Sequence, residues 1–162
     1  MAPDFSPETI FISYSRSDGR VFAEAFERRL GEEAGIRSWR DLKSIEGGED
    51  IRPQVLRAIE AVKHLVLILS QRALASDWVK REWTHARMVG RKVSPVLGDP
   101  AIKRSDLPGW ARRADVYDIS EPERWAMLVQ VLILEGRARR AVFLICRATS
   151  GISYHAPPNT PR

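Results

Sequence analysis

His64-Leu65-Val66-Leu67-Ile68-Leu69, followed seven residues later by Ser76-Asp77-Trp78-Val79-Lys80-Arg81-Glu82-Trp83, is the pair of segments on which the reading of this chain turns. The first is short, apolar and dense, as a strand buried on both faces of a sheet should be. The second predicts a helix from about Ser76 to Val89. That helix puts Trp78 and Glu82 four residues apart, on one face. A carboxylate therefore stands beside a flat aromatic surface, close to the C-terminal end of a central strand. In an open α/β sheet, ligands bind at that end.

Upstream, Thr9 to Tyr14 is β-branched and aromatic, and predicts a first strand. Ser15-Arg16-Ser17-Asp18-Gly19 reads as a loop. Val21, Phe22, Ala25, Phe26 and Leu30 recur at helical spacing between Arg20 and Glu33, and Gly35 stops that helix. Ile36 to Trp39 is a weaker second strand. Asp41 to Asp50 is polar, contains Gly47-Gly48, and reads as an exposed loop. Pro53 suits a first helical turn, and Val55, Leu56, Ile59 and Val62 mark the second helix.

Downstream, Lys92 to Leu97 predicts a fourth strand, ended by Gly98-Asp99-Pro100. Ala101 to Asp115 is irregular, with a turn signal at Leu107-Pro108-Gly109-Trp110. Val116 to Ile119 predicts a short fifth strand, and Pro122 opens a last helix to about Glu135. Alternating strands and helices imply a parallel sheet with helices on both faces. Neither Gly-x-Gly-x-x-Gly after the first strand nor a P-loop is present, so nucleotide chemistry here would need another device.

With 162 residues, 44% of them hydrophobic, the chain suits one domain of ordinary size. Its formal net charge of +5 is scattered over helices rather than massed in a block, so no nucleic-acid or membrane contact is expected. Cys146 is the only cysteine, so an intrachain disulfide is impossible, which fits a reducing compartment. Its apolar neighbours suggest an inert buried thiol. Met1 to Pro7 has no signal-peptide pattern, and no apolar run approaches a membrane span; the expected location is cytoplasmic. After residue 136 the pattern is lost. Residues 137–162 are a basic tail with Pro157, Pro158 and Pro161, expected to act as a linker. His64, His85 and His155 lack metal-ligand spacing, so no metal site is expected.

Phe11-Ile12-Ser13-Tyr14-Ser15 with Asp18 resembles the first signature of the Toll/interleukin-1 receptor (TIR) domain family. Ser76-x-Trp78-Val79-x-x-Glu82 resembles the family's Ser-x-Trp-Cys-x-x-Glu signature, with Val79 in place of the common cysteine. The Asp41–Asp50 loop is similar in position and character to the loop through which TIR domains associate. The resemblance covers residues 8–136. It implies a flavodoxin-like three-layer sandwich with five parallel strands in the order 2-1-3-4-5. The topological switch then lies between strands 1 and 3, and the two signatures flank one crevice.

TIR domains divide into scaffolds that only associate and enzymes that cleave NAD+ at the nicotinamide–ribose bond. The enzymes have a glutamate at the position of Glu82. The resemblance therefore implies an NAD+ hydrolase, yielding nicotinamide and ADP-ribose or a cyclic isomer, with NAD+ as substrate and no cofactor. One carboxylate suffices for that chemistry. A glycosidase needs a second to protonate its leaving group, but NAD+ already carries a cationic pyridinium that departs neutral. Glu82 is the expected catalytic residue, orienting the ribose and stabilising oxocarbenium charge. Trp78, Ser15, Arg16 and Asp41 are the expected substrate-binding residues, Trp78 by stacking.

Each residue also has an ordinary role. Glu82 beside Lys80 and Arg81 is the pattern of a solvated helix charge. Trp78 could pack in the core, although Val79, Trp83, Ala86 and Gly90 form the better core stripe. Ser17 or Asp18 is the expected cap of the first helix, Asp41 could merely cap its loop, and packing is the default for Trp39 and Trp110. The family implies self-association through the Asp41–Asp50 loop, a sensor domain linked at the C-terminal side, and a role in signalling or cell-death defence. The alternative is a non-catalytic TIR scaffold. A phosphoacceptor receiver shares the fold but needs an aspartate ending strand 3, where this chain has Leu69-Ser70.

Overall fold

The computed structural model describes residues 10–40 and 52–134. Strand β1 (Ile10–Ser13) leads into α1 (Arg20–Ala34), β2 (Ser38–Arg40), α2 (Arg52–Ala61) and β3 (His64–Leu69). Then come α3 (Gln71–Ala75), α4 (Asp77–Met88), β4 (Lys92–Leu97), 3-10 turns at Arg104–Asp106 and Ala111–Arg113, and a last helix α5 over residues 122–134. The strands pair in parallel in the order β2-β1-β3-β4. The expected α/β architecture and its switch between β1 and β3 are therefore present.

Alternation along the central strands builds two cores. Phe11, Leu65, Leu67 and Leu69 point to one face, where Val55, Ala58, Ile59 and Val62 of the α2 region and Val79 and Ala86 of α4 cover them. Ile10, Ile12, Val66 and Ile68 point to the other, under Phe26 and Leu30 of α1 and Trp125, Leu128 and Leu132 of α5. Every residue of β1 and β3 is buried. This is the signature of a parallel sheet sandwiched between helical layers.

Local chemistry sets the boundaries. Gly35 ends α1 in the left-handed conformation, at φ 62°. Its N–H reaches the Gly31 carbonyl while Ile36 N–H reaches back to Leu30, a Schellman-type stop. Where one helix was expected from Ser76, a separate turn of helix, α3, precedes it. Ser70 caps α3 by accepting from Ala73 N–H, and Ser76 caps α4 by accepting from Val79 N–H.

The fifth strand contracts to one parallel bridge, Val96 to Tyr117. Tyr117 N–H bonds Pro95 O and Leu97 N–H bonds Tyr117 O. The ladder cannot extend backwards, because Pro95 has no N–H to offer Asp115. It does not extend forwards either. Asp99 N–H is taken by the Leu69 carbonyl, and the Ile119 carbonyl accepts from Arg29. The sheet position is occupied as expected, but with a single pairing.

Gly98 lies where β4 leaves the sheet against the end of β3. A Cβ there would stand 2.6 Å from Ile68 Cγ2 and 3.0 Å from Leu69 O. Ile68 is fully buried and Leu69 O is backbone, so neither yields easily. Gly98→Ala is expected to destabilise the fold by about 1–3 kcal/mol through overpacking. Urea unfolding measures this, and an unchanged midpoint would contradict the close approach.

Candidate active site

The crevice forms at the C-terminal ends of β1 and β3. After Ser13 the chain makes a tight turn in which Gly19 N–H bonds the Ser15 carbonyl at 2.8 Å. A Cβ on Gly19 would sit 2.9 Å from that carbonyl, so glycine is required there by close approach. Ser15 is buried, and its hydroxyl lies 2.9 Å from the Ser17 hydroxyl. Arg16 is exposed on the same loop.

Asp18 does not cap α1. The N-cap position of α1 is Gly19, with no side-chain cap. Asp18 instead reaches across the crevice, accepting from the Ser70 hydroxyl at 2.8 Å and from the Arg72 N–H at 2.9 Å. The β1–α1 loop is thereby clamped to the first turn of α3. Burial acts to raise the Asp18 pKa. The hydrogen bonds from Arg72 N–H, Ser70 and Ser15 outweigh it and hold the carboxyl below its ordinary value of 3.8.

Glu82 is the second anchor. Val79, Glu82 and Ala86 form the buried stripe of α4, and Glu82 is only 5% exposed. The expected stripe through Trp83 is corrected by this. Trp83 is half-buried and turns toward Trp110, with ring centroids 5.2 Å apart. Glu82 takes the inward position because a polar partner waits there. The Ser13 hydroxyl, at the end of β1, donates to Glu82 Oε2 at 2.5 Å. A solvated surface charge is thus excluded for Glu82. Trp78, one turn earlier on the same helix, is half-buried and packs at the margin of the core.

The structure therefore gathers Ser13, Ser15, Asp18, Ser70 and Glu82 around the ends of β1 and β3. Asp41 and the Asp41–Asp50 loop lie outside the described residues, as does the 137–162 tail. Trp39 packs on Phe11, with centroids 5.1 Å apart. His64 is buried and meets the Ser94 hydroxyl at 2.8 Å. Among the described residues no cluster of three or more His, Cys, Asp or Glu could hold a metal ion. No described helix is long and apolar enough to cross a membrane. A cleft of about 280 Å³ opens on another flank of α4, lined by Leu67, Leu69, Val79, Lys80, Trp83 and Leu107. Glu82 does not line it, so this cleft and the carboxylate chemistry are separate features.

A family model described as the TIR domain matches residues 10–132. The chain belongs to the TIR domain family. Among solved structures, it is similar to the TIR domain of a Toll-related receptor from Hydra magnipapillata, at 16% identity and a TM-score of 0.63. That likeness covers 76% of this chain and 96% of the other. A metazoan TIR-STING receptor from C. gigas aligns at 22% identity and TM-score 0.60, over 80% of this chain and 41% of that one. The TIR domains of the activated Roq1 resistosome, which recognises the pathogen effector XopQ, align at 24% identity and TM-score 0.50, over 65% and 67%. No curated protein matches. At these identities the structural likeness speaks for the fold alone.

Sequence reasoning singled out Glu82 but named Ser13 only as a letter of the Phe11–Ser15 signature, with no role in the site. The available signal was its position. It shares a face with Phe11 in a layer that is otherwise apolar, where a hydroxyl needs a partner.

The lowered pKa fixes the sign of a pH test on the TIR domain's clamp. The Asp18 contribution is full above the unfolded value near 3.8 and is lost as pH falls through the lower folded value. At pH 7, Asp18→Asn should cost about 1 kcal/mol, modest because solvent screens an exposed carboxylate. The gap between wild type and variant should narrow as pH falls below the ordinary carboxyl value of 3.8. Urea denaturation from neutral pH down into the acid range measures it, and a gap that does not narrow on acidification would refute an ionised clamp.

Proposed function

We propose that this TIR domain cleaves the nicotinamide–ribose bond of NAD+, releasing nicotinamide and either ADP-ribose, by hydrolysis, or cyclic ADP-ribose, by cyclisation. One observation carries the reading: the carboxylate of Glu82 is buried at the switch crevice and held there by a hydroxyl donor. A glutamate kept for surface solubility would project into water. An inward carboxylate at the ligand-binding end of the sheet is suited to a substrate whose reaction develops positive charge.

The reaction asks little else of the protein. The C–N bond breaks with its electron pair going to the pyridinium nitrogen, so nicotinamide leaves neutral and needs no proton. The ribose retains positive charge at C1 and its ring oxygen. Glu82 offsets that charge and orients the hydroxyls. Water, or the adenine of the same molecule, then bonds to C1 and a proton is released. Trp78 supplies an apolar face for the flat ring. The Ser15–Arg16 loop and Asp41 are the proposed contacts for ribose and phosphate oxygens.

Self-association is proposed as the activating event, through the Asp41–Asp50 loop, with other TIR domains as partners. One similar structure is described as a TIR-STING receptor, and another as the TIR domains of an activated resistosome that recognises a pathogen effector. An effector driven by a C-terminally linked sensor, in signalling or cell-death defence in the cytoplasm, is the corresponding proposal here.

Nicotinamide release from NAD+ by protein clustered on a multivalent support should be measurable. Glu82→Ala should reduce it by at least about 100-fold. Undiminished turnover in that variant would remove Glu82 from the chemistry. Absence of turnover in clustered wild type would place the domain among the scaffolds. Trp78→Ala should raise KM by roughly 3- to 10-fold, the worth of one aromatic contact, with Trp78→Phe intermediate. A KM unchanged in Trp78→Ala would assign the indole to packing alone.

A further inference from the structure

We infer that Ser13 is a positioning residue for Glu82: its hydroxyl, fixed by the central strand, aims the carboxylate that meets the ribose. This rests on the cleavage reading above and names how its site is organised. On the covered face of β1 and β3 the side chains are Phe11, Ser13, Leu65, Leu67 and Leu69. Ser13 is the single hydroxyl in that set and is 1% exposed. An apolar residue would serve packing better there, and an unpaired hydroxyl would be costly. The partner that offsets this cost is Glu82, 69 residues away in sequence.

The contact is unequal in a useful way. Ser13 closes a strand whose neighbours pair with it on both sides, and it is in register with Leu67. Its hydroxyl swings about one side-chain bond. Glu82 swings about three. The serine is therefore the fixed point and the glutamate the aimed group. The Ser13 hydroxyl donates to Glu82 Oε2, so that carboxylate oxygen is tied to the end of β1. Asp18 holds the same lip in place, bonding Ser70 and Arg72 five residues after Ser13.

The test compares clustered wild type, Ser13→Ala and Ser13→Cys, the last nearly isosteric with a weaker donor. Ser13→Ala should lower kcat by about 10- to 100-fold with KM changed less than about threefold, as expected when a reacting group is misaligned but binding is intact. Ser13→Cys should fall between. A thermal-unfolding cycle over Ser13→Ala, Glu82→Ala and the double variant reads the contact without any turnover. The double variant should lose less Tm than the two single losses added. Additive losses would overturn the proposal, as would an unchanged kcat in Ser13→Ala, or kcat falling only in step with Tm across both Ser13 variants. If clustered wild type fails to release nicotinamide while the cycle shows coupling, the cleavage reading has failed, and Ser13 is a structural partner only.

Discussion

A carboxylate inside an apolar layer is tolerated only when donors replace the water it gave up. That constraint governs the centre of this TIR domain. Glu82 faces the sheet rather than solvent, and Ser13 meets it from the end of β1. Their pairing requires β1 to lie in the middle of the sheet. It also requires α4 to pack across β1 and β3, and the chain to leave β3 through a short α3 before α4 begins. Each of these features has its own local cause, yet all must hold before the two side chains can meet.

The crevice is held by two different kinds of contact. Near Glu82 the link is buried, short and shielded from water. At Asp18 it is exposed and solvent-screened, joining the β1–α1 loop to the cap of α3. The inner contact therefore fixes geometry, while the outer one sets how firmly the lips of the crevice are kept together. Such a division suits a site that must be aligned at its base and accessible at its rim.

Much of this was legible in the letters. Helical and strand spacing located β1, α1, β3, β4 and α5 to within a residue or two, because apolar periodicity records burial directly. The parallel class followed from alternation. What was not legible came from contacts distant in sequence. A capping rule assigned Asp18 to the helix beside it, yet its carboxylate is used 52 residues later, at Ser70. Hydrophobicity ranked Trp83 above Glu82 for the core, although 79, 82 and 86 form an equally regular stripe; Ser13 decided between them. The fifth strand shrank because of one missing N–H at Pro95 and two partners already engaged elsewhere, which no window over Val116–Ile119 could reveal.

Burial and catalysis pull against each other at Glu82. At 5% exposure the carboxylate is well shielded, which strengthens its interaction with a developing cation but also bars a ribose from touching it. On the proposed reading, the chain must exchange some covering contact for substrate. A binding event favours the open arrangement only to the extent that it prefers it over the closed one. On that same proposal, association between TIR domains would supply a preference of that kind without altering Glu82, if a neighbour binds the rim in one arrangement and not the other. The Ser13 hydroxyl would stay in place through such an exchange, because it belongs to the sheet and not to the rim. Access and alignment are then governed by separate parts of the fold, so assembly can regulate the first while leaving the second intact.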